Sequence, residues 1–132
     1  MQPGRDITLA LHHAHAAQPP LLELVKDAMS AAPEVQLSPH QRSIVSRIGA
    51  GLARVEGAIA VALGGSRARG RAREGSDVDL ALLYRESAPF AIERVRALAA
   101  AWNDTPDPVV TGFYEWGPWV NGGAWLVVEG ER

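Results

Sequence analysis

The stretch Gly64-Gly65-Ser66-Arg67-Ala68-Arg69-Gly70, followed by Gly75-Ser76-Asp77-Val78-Asp79-Leu80, decides how this sequence is read. Aspartate is depleted in strands, yet Asp77 and Asp79 open the apolar run that continues to Tyr84. Side chains two apart on a strand share a face. The two carboxylates would therefore sit side by side, their Cα atoms about 6.5 Å apart. At that distance they repel each other unless a cation lies between them. Hard oxygen ligands at this spacing suit Mg2+, which binds a few carboxylates together with substrate phosphates. Two such ions can activate an attacking oxygen and stabilise a leaving one. Taken alone, Asp-x-Asp is more often the solvated start of a strand, with Asp77 capping a turn.

The glycines carry the other half of the argument. Ala58 to Leu63 is a short apolar run closed by Gly64 and Gly65, which predicts a buried strand. Without Cβ atoms, Gly64 and Gly65 let backbone N–H groups approach an anion. Consecutive N–H groups in such a turn form an anion-binding nest, and Ser66 adds a hydroxyl donor. An ordinary strand-to-helix turn also favours Gly and Ser, so this turn is weak evidence by itself. The combination is more specific: a phosphate cradle ends one strand and a metal-binding pair opens the next. If the two strands are neighbours, both halves face one substrate.

Gly65-Ser66, followed by Asp77 and Asp79 on a strand, resembles the signature of the DNA polymerase β-like nucleotidyltransferase superfamily. The runs from Gly65 to Gly70 and from Ser76 to Leu80 look most like its minimal prokaryotic members. The resemblance covers about Ser38 to the end of the sequence. It implies nucleotidyl transfer from ATP or another nucleoside triphosphate to a hydroxyl acceptor. Asp77 and Asp79 would hold Mg2+, two ions in an active member, and Gly64, Gly65 and Ser66 would hold the triphosphate. Arg69 stands where these proteins often carry a basic loop residue, and is equally a surface charge. Arg67, Arg71 and Arg73 are expected on a solvated face. Catalytic members use a third carboxylate on a later strand, commonly after a hairpin like Glu129-Gly130-Glu131, and here the sequence stops at Arg132. That carboxylate is supplied by Glu129, lost by truncation, or absent because the protein is not catalytic.

Outward from this centre, Ser38-Pro39 is a helix start, and Ile44, Val45, Ile48, Leu52 and Val55 recur at helical spacing. A helix is predicted from about Pro39 to Glu56, weakened by Gly49 and Gly51. A second is predicted over Ala88 to Trp102. Strands are expected at Val78 to Tyr84, Val109 to Phe113 and Ala124 to Val128, with a turn at Glu129 to Glu131. The fold class is α/β (α+β), a small mixed sheet with helices mainly on one face. Residues 1–37 read as a helical or poorly ordered leader, with Leu21, Leu24, Val25 and Ala28 on one helical face. Residues 38–132 form the nucleotidyltransferase domain.

Bulk properties exclude several classes. The chain has 132 residues, one domain's worth, and 47% of them are hydrophobic, too rich for disorder. Its net charge of -2 sets up no field that draws nucleic acid or membrane. It has no cysteine, so disulfides and thiolate catalysis are excluded. No run of about eighteen apolar residues occurs, and no signal peptide is recognisable at Met1 to Asp6, so a cytoplasmic protein is expected. Gly65 to Ala72 imitates a P-loop, but Arg71 and Ala72 replace its Lys and Ser/Thr. His12, His13 and His15 lack a fourth ligand and read as leader. The aromatic stretch from Phe113 to Trp125 either packs under a loop or stacks on a nucleobase. Two other function classes stand beside the transferase. One is a nucleotide- or protein-binding module, such as an antitoxin-like partner of a helical protein. The other is a structural remnant that dimerises through the Ala124 to Val128 edge.

Overall fold

The computed structural model describes residues 7–13, by their backbone, and residues 34–132. The helix read from Leu21 to Met29, and His15, lie outside the described residues. The elements run β1 (Ile7–His13), α1 (Pro39–Ala53), β2 (Ala58–Leu63), α2 (Gly65–Ala68), β3 (Val78–Tyr84), α3 (Ile92–Trp102) and β4 (Val120–Leu126). The four strands form one sheet in the order β2-β3-β1-β4. β1 is parallel to β3 and antiparallel to β4, and β2 is antiparallel to β3, so the sheet is mixed.

The expected leader is thus corrected at residues 7–13. They form a central strand, with Ile7 opposite Val78 on one side and Leu126 on the other. Local sequence could not show this, because the partners of β1 lie far along the chain. The C-terminal hairpin feeds the same lane. Glu129 and Gly130 both take positive φ, 53° and 77°, and Val128 bridges Glu131. The carbonyl of Arg132 then accepts from Val78 N at 3.2 Å, just ahead of Ile7. The edge from Ala124 to Val128, proposed as a dimer contact, is occupied instead. β1 pairs on one side of β4, and on the other Val110 bridges Ala124 while Thr111 N donates to Gly123 O.

α1 begins as its sequence predicts. The Ser38 hydroxyl accepts from Gln41 N, and the Gln41 side chain accepts from Ser38 N, a reciprocal cap with Pro39 in the first turn. Its buried positions Ile44, Ile48 and Leu52 follow the helical period. Together with Val95 and Ala99 of α3 they cover the side of β3 that carries Val78, Leu80, Leu82 and Tyr84. Gly51 is a contact glycine, since a Cβ there would overlap the Trp102 ring of α3.

Several expected elements change: the strand expected at Ala124 to Val128 runs Val120–Leu126, and α1 ends at Ala53 rather than Glu56. α3 starts at Ile92 rather than Ala88. Pro89 disfavours a helical Ala88, which instead bridges Arg85, while Phe90 is buried edge-on to Tyr84 at 5.1 Å. The strand expected at Val109 to Phe113 is reduced to the single bridge at Val110. β2, expected to be buried, pairs only with β3 among the described residues and leaves Ile59 exposed.

Candidate functional site

β3 is buried and half-buried in strict alternation, which places Asp79, with Ala81 and Leu83, on the side away from the helices. Asp77 lies one residue before the strand start and is half-buried. The pairing of β2 with β3 runs Leu63 opposite Leu80, so the chain leaving β2 turns directly over Asp79. Gly64 N donates to Asp79 O at 2.8 Å. Gly65 takes φ +63°, and a Cβ on it would overlap the Asp79 carboxylate, lying 2.7 Å from its Cγ. Only glycine fits there, because both the backbone conformation and the space exclude a side chain. The tight turn and the second aspartate are therefore in contact.

Ser66 lies in α2, a single four-residue turn. Arg69 follows it and is exposed, as are Arg71 and Arg73. Arg67 departs from its expected solvated face, being only 8% exposed. Its guanidinium donates to Asp77 O at 3.1 Å, to Ser76 O at 2.5 Å and to Gln36 O at 3.0 Å. Three backbone carbonyls satisfy a buried charge whose fork geometry suits them, and the approach to Asp77 is clamped to the glycine turn. Sequence reasoning missed this residue because an arginine among arginines carries no local sign of burial.

Glu129, offered as a third carboxylate, is engaged elsewhere. It accepts from Arg47 of α1 at 2.5 Å and lies 3.9 Å from His40, on the helix side of the sheet. Glu131 accepts from Gln41 of the same helix. The residue opposite Asp79 in the next lane is Thr8. Among the described residues no group of three His, Asp or Glu side chains gathers closely enough to hold a metal ion. Asn121 is buried and donates to the Tyr84 hydroxyl at 2.5 Å. Gly122 packs against the Gly112 carbonyl, so both serve the core. An open apolar groove of about 400 Å3 between α1 and β2, lined by Val45, Gly49, Val61 and Leu63, lies on the helix side and includes neither aspartate.

The Asp104 carboxylate receives Glu129 N and Gly130 N, each at 2.8 Å. These two donors, Gly130 foremost, hold its pKa below the ordinary carboxylate value. Tyr114 is shifted the other way, up, chiefly by its hydrogen bond to Glu86. Both groups lie away from the glycine turn in sequence and belong to the scaffold.

No helix among the described residues is long and apolar enough to cross a membrane. No match is found among curated proteins or solved structures. A family model described as a nucleotidyltransferase domain matches residues 48–108, which take in β2, the glycine turn, Arg67, both aspartates and β3. The contact between that turn and Asp79 falls within the segment the family model covers, which is consistent with a polymerase β-like nucleotidyltransferase domain.

Proposed function

We propose that the chain binds a nucleoside triphosphate, ATP or a close relative, with Mg2+ and transfers its nucleotidyl group to a hydroxyl acceptor. The observation that carries this reading is the contact of Gly65 with the Asp79 carboxylate. It sets a turn able to take phosphate oxygens against a side chain able to take a cation. The donors fit Mg2+: Asp77 and Asp79 offer hard carboxylate oxygens, and phosphate and water would complete the shell. When bound, the metal neutralises charge on the phosphates and the developing charge of the reaction. Gly64, Gly65 and Ser66 hold the phosphates that depart, and Arg67 keeps the approach to Asp77 in place. The acceptor oxygen forms a bond to the α-phosphorus, its proton passes to water, and the bond to pyrophosphate breaks. Positioning and electrostatic alignment would supply most of the rate. A cytoplasmic setting, where nucleoside triphosphates are available, suits this chemistry.

The test is the melting temperature with and without Mg-ATP, in wild type and in Asp79→Asn. At a hundred times its dissociation constant the ligand should stabilise wild type by about 2.7 kcal/mol. Asp79→Asn should lose most of that. Equal shifts in the two proteins would remove the metal role of Asp79.

A second reading, a nucleotide- or protein-binding module without turnover, is favoured by one specific observation. Thr8, not a carboxylate, stands opposite Asp79 in the neighbouring lane. Pyrophosphate release with Mg-ATP and a panel of hydroxyl acceptors separates the two. Release from wild type but not from Asp79→Asn supports transfer, and binding without release supports the module. In the module, a helical protein or a second copy of the chain would be the partner.

A further inference from the structure

We propose that Trp125, backed by Trp116, is the stacking surface for the base of the nucleotide held at Gly65 and Asp79. This inference rests on the triphosphate reading above and extends it to the other end of the ligand.

The sheet register carries it. Thr8 of β1 is the partner of Asp79 on one side and of Trp125 on the other. Asp79 and Trp125 therefore hold the same register position on either side of Thr8, in one row across three neighbouring strands, and this register puts Asp79 and Trp125 on one face of the sheet. Burial agrees, because Ala124 and Leu126 on either side of Trp125 are buried with the core while Trp125 is 45% exposed. Trp125 thus lies on the open side of the sheet with Asp79. It is braced there, since the Trp116 ring packs on it at a centroid distance of 4.7 Å and an interplanar angle of 43°. A braced, half-exposed indole presents a large π-surface at low entropic cost.

The order of lanes matches the order of groups in a nucleotide. The glycine turn ends β2, Asp79 is on β3, β1 comes next, and Trp125 is on β4. Departing phosphates over the turn would place the α-phosphorus at β3, the ribose over β1 and the base over β4. Two lanes separate Asp79 from Trp125, about 10 Å at ordinary strand spacing, a span suited to the ribose and base beyond an α-phosphate. Stacking on an aromatic face is tolerant of base identity, so the surface would add affinity for nucleotides over bare polyphosphate.

Titration calorimetry with Mg-ATP and with Mg-tripolyphosphate tests this in wild type, Trp125→Ala, Trp125→Phe and Asp79→Asn. Trp125→Ala should weaken Mg-ATP about 5- to 150-fold, the range found when one base loses an aromatic partner. It should leave Mg-tripolyphosphate unchanged. Trp125→Phe, which keeps a ring and the strand's packing, should retain most of the Mg-ATP affinity. Asp79→Asn should weaken both ligands. Unchanged Mg-ATP affinity in Trp125→Ala, or equal losses for both ligands in Trp125→Ala and Trp125→Phe, would overturn the stacking role while leaving the triphosphate site standing. Binding of neither ligand by wild type would overturn the triphosphate site, and the base platform with it.

Discussion

The two faces of β3 differ more than any two separate regions of the molecule. Val78, Leu80, Leu82 and Tyr84 are each no more than 2% exposed and meet the helices, whereas Asp79, Ala81 and Leu83 are half-buried on the open side. The period of two lets one seven-residue strand serve both purposes. One face is apolar and supplies stability. The other carries the acidic group, in contact with the glycine turn and in the row of Trp125. A change on one face should therefore leave the other face's property largely intact.

The sharpest way to break that division is to change one residue on each face of β3. Leu82→Ala removes a fully buried side chain and should cost about 3 kcal/mol of stability in denaturant unfolding, with the Mg-ATP stabilisation preserved in the folded fraction. Asp79→Asn should do the reverse, changing ligand-free stability by only about 0.5 kcal/mol while losing the ligand shift described above. If Leu82→Ala lost the ligand shift and Asp79→Asn lost stability, the two faces would not be independent.

A smaller contrast lies within α1. Gly51→Ala should destabilise by about 2 kcal/mol, because its Cβ would be driven into the Trp102 ring. Gly49→Ala meets nothing within 4 Å and should stabilise by up to about 1 kcal/mol through helix propensity. Thermal unfolding of the pair checks this, and equal effects would show that α1 and α3 are not in the contact described.

The smallest effect is expected at the C-terminal hairpin. The pKa of Asp104 is lowered by the N–H groups of Gly130 and Glu129. A carboxyl whose folded pKa is depressed stabilises above its unfolded pKa and loses that contribution as pH falls through the folded value. The stability gap between wild type and Asp104→Ala should thus be full at neutral pH and close on the acid side of the ordinary carboxylate range. A gap independent of pH would mean that the carboxylate does not cap the turn.

Much of the fold was legible because its signals were local. Ala58–Leu63 and Val78–Tyr84 have the bounds their apolar runs and flanking glycines indicate. Ser38 caps α1 with the reciprocal partner its spacing provides, and Glu129-Gly130 forms the turn its composition suggests. Pro89 could have been weighed against Ala88 as a helix start, and the start of α3 moved for that reason. Strand β1 was not legible, because Ile7 to His13 has no turn signal tying it to a partner and pairs only with strands distant in sequence. The burial of Arg67 was hidden for a similar reason, since its three carbonyl acceptors come from two separate segments.

By itself the sequence determined the chemistry available: a glycine turn, a pair of carboxylates two residues apart, and a strand whose alternate residues are apolar. These follow from backbone sterics and strand periodicity, which act over a few residues. Only the tertiary structure decided that the turn touches Asp79, that Arg67 clamps the loop, that Thr8 stands opposite Asp79 and that Trp125 shares its row. Those relations depend on which strands lie next to each other and in what register, and long-range pairing is set by the burial of the whole sheet rather than by any one segment.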